Sequence, residues 1–179
     1  MKVEELGLDG VKLIKNDVFQ DKRGYLFKPY SYDQLFENGI NMEIKEVLFT
    51  TSKKNVIRGM HFQMPPSDQS KIVTVMRGKI IDVLLDIKRG SLSFGKYVTL
   101  KLEANDGKAI FMPGGIAHGF LSLANGTQVL YLMDSPYSPS DESGIRYDSF
   151  GYVWGVQNPI ISNRDLAFKP FNQFESPFK

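Results

Sequence analysis

Apolar positions in this chain recur with the period of strands, in short runs broken by glycine, proline or polar turns. Lys71-Ile72-Val73-Thr74-Val75-Met76, then Arg77-Gly78, then an apolar run over 79–87, is the clearest hairpin. Further extended runs lie at 11–14, 25–30, 43–51, 56–63, 97–102, 109–112 and 128–133. One short helix is predicted from Ser31 to Phe36, with Ser31 as cap, Gln34 three residues on, and Gly39 able to end it. Beyond Ser138 the chain reads as loops, and Pro159 and Pro170 rule against long helices there. Many short strands at regular spacing predict an all-β sandwich or barrel with short peripheral helices.

Composition narrows the classes. A chain of 179 residues is expected to form a single domain, 1–179, with a sizeable core. Its 42% apolar and 23% charged residues are ordinary for a globular protein, and a net charge of +2 is too small to argue for nucleic acid. No apolar run reaches the roughly 18 residues that cross a bilayer, and the opening MKVEELGLDG lacks the order of a signal peptide, so no membrane partner and a cytoplasmic location are expected. There is no cysteine, which removes disulfides, thiol catalysis and thiolate metal sites. With His61 and His118 the only histidines, a three-histidine metal centre is impossible. Two histidines plus a carboxylate stays open in principle, but no His-x-His or His-x-x-x-His spacing supports it.

The chemistry concentrates in Val56-Ile57-Arg58-Gly59-Met60-His61-Phe62-Gln63, closed by Pro65-Pro66 and followed by Lys71. A proton-transfer group, two cations and an amide within fourteen residues suit a pocket that holds an anion and moves a proton beside it. Strict alternation would put Ile57, Gly59 and His61 on one face and Arg58 and Met60 on the other. For Arg58 and His61 to share a pocket the strand must bulge or twist, and Gly59 is where it can. Bland readings stand beside these: His61 as a hydrogen-bonded core residue, Arg23 as a solvated turn residue, Lys71 snorkelling at an edge, and Tyr131 as an ordinary strand aromatic. Asp82 and Asp86 alternate with apolar neighbours and either could be buried and paired. The glycines of Pro113-Gly114-Gly115-Ile116-Ala117-His118-Gly119-Phe120 let backbone pass close to a ligand or another strand.

Taken together, these pieces resemble the deoxysugar-nucleotide 3,5-epimerases. The likeness runs, in order, through Asp21-Lys22-Arg23-Gly24, Arg58 to Gln63, Pro65-Pro66, Gln69-Ser70-Lys71, Gly78, Asp82-Val83, Pro113 to Phe120, Tyr131, Tyr137-Ser138-Pro139 and Ile161-Ser162-Asn163-Arg164-Asp165. It covers nearly the whole chain. The resemblance implies a cupin-type β jelly roll, a homodimer with strand exchange, no metal and no cofactor. It also implies a nucleotide-diphosphate 4-keto-6-deoxy sugar as substrate, in deoxysugar biosynthesis of the rhamnose type. By the same resemblance His61 is the base, Asp165 its orienting carboxylate with Asp82 as fallback, Lys71 the enolate stabiliser, and Tyr131 the acid. Arg23 and Arg58 would hold the diphosphate, and Gln63, His118 and Tyr137 would line the pocket.

Four positions depart from the family pattern. Lys28 stands for a glutamate, Glu46 for a glutamine and Leu48 for an asparagine; Gly155, not proline, follows Trp154. Lys28 and Glu46 are expected in the substrate pocket, where they could compensate by pairing. The departures bear on the substrate more than on the proton-transfer set. A single-centre epimerase with another nucleotide, a non-catalytic sugar-nucleotide binder and a metal-dependent oxygenase are the rival readings.

Overall fold

The computed structural model describes residues 1–179. Thirteen strands carry the fold. The first six are β1 (Lys2–Glu5), β2 (Lys12–Lys15), β3 (Phe19–Asp21), β4 (Gly24–Leu26), β5 (Glu46–Ser52) and β6 (Ile57–Gln63). The others are β7 (Lys71–Arg77), β8 (Lys79–Asp86), β9 (Tyr97–Glu103), β10 (Lys108–Met112), β11 (Ile116–Ser122), β12 (Thr127–Met133) and β13 (Glu142–Gly144). Six form one antiparallel sheet in the order β1-β2-β10-β7-β12-β5, and five form a second in the order β13-β6-β11-β8-β9. The strands β3 and β4 stand apart as a two-stranded hairpin. This is the all-β sandwich expected from the strand pattern, in the jelly-roll form that the family resemblance implies.

The near-continuous apolar runs have a direct cause: both faces of each main sheet are covered. Between the sheets, Val73, Val75, Val129 and Ile110 meet Ile80, Leu84, Leu102 and Phe120. The outer face of the five-stranded sheet packs Ile57, Met60, Val83 and Leu85 under Ile145, Phe150, Trp154 and Phe178 from the C-terminal loops. The outer face of the other sheet packs Ile14, Ile72 and Leu132 under Leu35 of α1 (Tyr32–Glu37) and the following Ile40 and Met42. By alternation along β7, Lys71 therefore points to the same side as Val73 and Val75, between the sheets.

The bulge required in β6 is present. His118 lies opposite His61 and Phe120 opposite Arg58, so a three-residue step on β6 faces a two-residue step on β11. Gly59 has φ +130°, and a β-carbon there would fall 2.4 Å from the Gly119 Cα. The extra residue turns Met60 into the outer core, fully buried, and leaves Arg58 and His61 on the inner face together.

Some elements differ from expectation. β1 and β13 were not visible as patterns, because both are short and mostly polar. Strand structure in the aromatic run 25–30 stops at Leu26. Ser31 sits at the start of α1 without a side-chain capping bond. A four-residue helix, α2 (Asn163–Leu166), forms where only loop was predicted; the Ser162 hydroxyl caps it by accepting from the Asp165 N–H. No helix is long and apolar enough to cross a membrane.

Candidate active site

A cavity of about 220 Å³ opens between the two sheets. His61 and Arg58 reach it from β6, His118 from β11, Lys71 from β7, Tyr131 from β12 and Glu46 from β5. The bulge at Gly59 supplies two of these, and the inward facing of alternate residues supplies the rest.

His61 is held from behind. Its Nε2 lies 2.9 Å from Asp165 Oδ1, and the other carboxylate oxygen accepts from the Gly59 N–H at 3.2 Å. Asp165 is buried on α2. Burial alone would raise its pKa, but the bonds from His61 and Gly59 outweigh that and hold it well below the usual carboxylate range. An ionised Asp165 accepts a hydrogen bond from Nε2–H, which keeps the proton on that nitrogen and leaves the lone pair on the other. The phenyl ring of Phe168 packs edge-on against the imidazole at 5.8 Å.

Arg164, the neighbour of Asp165, was given no role by the sequence reading and proves central. Its Nη1 donates to Glu142 Oε1 at 2.6 Å, its Nε lies 3.2 Å from Asp165 Oδ1, and its Nη2 lies 3.0 Å from His61 Nε2. A guanidinium only donates, so the last contact is a hydrogen bond only if Nε2 lacks its proton; the Asp165 bond sets the other tautomer. Glu142, also unforeseen, accepts from the Tyr137 hydroxyl at 2.7 Å through its second oxygen. The adjacency of Arg164 to Asp165 was the one available signal; Glu142 had none, since its strand is a three-residue β13.

A second histidine–carboxylate pair lies deeper. His118 Nε2 is 2.7 Å from Asp82 Oδ1, and both side chains are buried. Asp82 therefore serves His118 and is not an alternative partner of His61. Lys71 meets opposing influences: burial pulls its ammonium down to about 8, while the Glu142 carboxylate opposes that. The Tyr131 phenol is pushed up, first by burial and next by Asp82.

Gln63, expected as a ligand-binding group, lines the cavity with its amide already committed to the loop above. It donates to Ser67 O and Pro136 O, and its carbonyl accepts from the Ser138 N–H at 2.7 Å. That loop carries Tyr137 to the cavity rim, where its N–H donates to Glu46 Oε2 at 2.8 Å. Two of the expected residues lie off the cavity in the single chain. Arg23 lies on the β3–β4 hairpin, exposed and paired with Asp21, away from the cavity. Lys28 is exposed, lies off the cavity and does not pair with Glu46; the carboxylate has the Tyr137 amide instead. The reason is topological: both cations belong to a segment that leaves the body of the fold after β2.

A family model described as dTDP-4-dehydrorhamnose 3,5-epimerase matches residues 5–173. The chain belongs to this family. The enzyme of that name from Salmonella typhimurium is 36% identical over 172 residues, covering 93% of each chain. The solved structure of the epimerase from Sulfolobus tokodaii superimposes with a TM-score of 0.92 at 34% identity, over 99% of this chain and 98% of that one. The Legionella pneumophila enzyme, solved with dTDP-4-keto-L-rhamnose, gives a TM-score of 0.91 at 29% identity over 97% and 94%. Like other dTDP-4-dehydrorhamnose 3,5-epimerases, the protein is an isomerase built on a cupin-type jelly roll. His61 and Asp165, the pair that the resemblance singles out, are joined at 2.9 Å across 104 positions of sequence.

Proposed function

We propose that this protein inverts C3 and C5 of dTDP-4-dehydro-6-deoxyglucose, giving dTDP-4-dehydrorhamnose, by way of an enolate. The observation that carries the reading is the placement of an oriented histidine and a tyrosine on opposite sheets of one cavity, with a lysine on the strand that pairs with the tyrosine's. The C4 ketone of the sugar acidifies the C–H bonds on either side of it. The free ring nitrogen of His61 takes one such proton, and Asp165 stabilises the imidazolium that forms. Negative charge moves to the C4 oxygen, where the Lys71 ammonium, in a largely dry site, stabilises it. Tyr131, from the facing sheet, returns a proton to the other side of the ring, so the centre inverts. Repetition at the second carbon completes the reaction. Arg58 at the rim suits the diphosphate, since a guanidinium fork matches phosphate oxygens.

The reading includes a homodimer with exchanged strands. The β3–β4 hairpin carries apolar Phe19 and Leu26 in water at 66% and 57% exposure, and β5 presents Val47 and Phe49 at 57% and 65% beside an unpaired strand edge. Such patches on a monomer call for a partner. Exchange of the hairpin would bring Arg23 of one subunit to the diphosphate in the other. A cytoplasmic location is part of the same reading, in keeping with a chain without cysteine.

The test is proton NMR of dTDP-4-dehydro-6-deoxyglucose with the protein in D2O. Loss of both the C3 and C5 proton signals, with trapping of the L-sugar by a 4-ketoreductase, is the expected result. His61→Asn should lower exchange by about 10²–10⁴-fold while dTDP binding stays near native. Exchange at a single carbon would make this a one-centre epimerase, and unimpaired exchange in His61→Asn would remove the histidine as base.

A further inference from the structure

Asp82 is not explained by the reaction as described. It lies on β8, fully buried, and alternation with Ile80 and Leu84 turns it toward the space between the sheets. A carboxylate in such a place normally collects several donors, as Asp165 does. Asp82 has one, the His118 ring at 2.7 Å; its Oδ2 has no hydrogen-bond partner in the protein. The other buried side-chain oxygen without a partner is Thr50 Oγ1, in the wall of the same cavity. The Oδ2 of Asp82 is therefore an orphan that folding alone gives no reason to keep, since an apolar side chain of similar size would fill the position at lower cost.

What lies beyond His118 supplies the reason. Its imidazole stands edge-on to the Tyr131 ring, at 5.9 Å between centroids and 66° between planes. We propose that Asp82 is a positioning residue for the second proton transfer: through His118 it fixes the floor on which Tyr131 rests, and its unpaired oxygen opposes charge on that phenol. This deepens the reading of Tyr131 as the acid and rests on it.

The groups that face Tyr131 from neighbouring elements are Glu46 on β5, Lys71 on β7, Arg58 and His61 on β6, Asp82 on β8 and His118 on β11. Burial is the first influence that holds the proton on Tyr131 and Asp82 adds to it, while the Thr50 side chain and then Arg58 favour a tyrosinate. An acid that must hold its proton until the enolate is in place benefits from that balance. The arrangement also separates the two histidines by task. His61 is tied to a carboxylate with several donors at the cavity mouth; His118 is tied to a carboxylate with a single donor at its floor.

Asp82→Asn removes the charge and keeps the shape. The expected result is a loss of inversion of at least tenfold in kcat, with KM and the rate of C–H exchange with D2O near native. That split is what loss of the acid gives and what loosened packing does not. An unchanged ratio of exchange to inversion in Asp82→Asn would overturn the proposal. A parallel Tyr131→Phe variant separates the two levels. If it inverts normally, the acid assignment fails; if it does not invert while Asp82→Asn does, only the role of Asp82 fails. Protein labelled with [13Cζ]tyrosine gives a readout that needs no folded Asp82 variant, with the Tyr131 signal assigned by its loss in Tyr131→Phe. The Tyr131 carbon should remain in the protonated position at pH 10.5, where an ordinary phenol with pKa about 10 is mostly ionised. Ionisation together with the exposed tyrosines would overturn the proposal.

Discussion

Lys71 is the residue whose chemistry depends most on where the fold puts it. On an exposed strand its ammonium would stay charged to pH 10 and beyond. Between the sheets burial lowers it to about 8 despite the Glu142 carboxylate nearby. The charged form is the one that stabilises an enolate oxygen, so the sign is fixed: the group works below its pKa and is lost as pH rises through it. The kcat/KM for C–H exchange should therefore be level below pH 8 on this account and fall about tenfold per unit above it. Lys71→Met should lower the level part and abolish that alkaline limb, as a pH profile of deuterium wash-in would record. A native limb that survives in Lys71→Met would assign it to another group. The residue identities behind this site were legible: His61, Lys71, Tyr131 and Asp165 were all named from the sequence. Arg164 and Glu142 were not, because their importance lies in a contact with His61 across 103 positions in one case and a bond from Tyr137 across a turn in the other. The pairing of Asp82 with His118, too, depends on a strand register, β8 beside β11, that no local pattern discloses.

At the scale of the element, β6 shows how one glycine decides the site. Periodicity placed Arg58 and His61 on opposite faces, and only a bulge could reconcile the pattern with a shared pocket. The bulge exists because Gly59 and Gly119 approach each other so closely that a β-carbon at either would meet backbone. Gly59→Ala would add that carbon at a φ of +130°, where an L side chain is itself strained. A destabilisation of about 3 kcal/mol or more is expected, from the clash and the strain together. Urea unfolding should show a lower midpoint at unchanged slope, and the folded fraction should have reduced activity as His61 and Asp165 lose register. A midpoint equal to the native one would mean that the bulge is held by something other than the glycine pair. The hairpin β7–β8 and the strands β10 and β12 were legible within a residue or two because their apolar positions are dense. β1, β13 and α2 were missed for the opposite reason: they are three or four residues long, and partners distant in sequence hold them in place.

The whole molecule carries a contradiction that the single chain does not resolve. The family resemblance assigns Arg23 to the diphosphate, yet Arg23 stands in water on a detached hairpin, bonded to Asp21. The same hairpin exposes Phe19 and Leu26, and β5, which carries cavity residues Glu46 and Leu48, exposes Val47 and Phe49 at a free edge. Burying these apolar groups in a two-fold contact would cover both patches at once, and would bring the cation of one subunit to the other's cavity. The arrangement predicts complementation between two defective chains. Arg23→Ala spoils the cavity of the partner, whereas His61→Asn spoils its own. In a mixed dimer of the two variants, one cavity then has a native His61 and a native Arg23, while the other lacks both. Random mixing makes half the dimers mixed, and one of two sites in each is whole. Unfolding the variants together and refolding them should thus restore about a quarter of native activity. Either variant refolded alone should regain none of it beyond its own residue. If Arg23 acts within its own chain, or not at the site, mixing gives no more than the average of the two variants. The assay is the same deuterium wash-in, and the dimer itself is read from sedimentation at the concentration used.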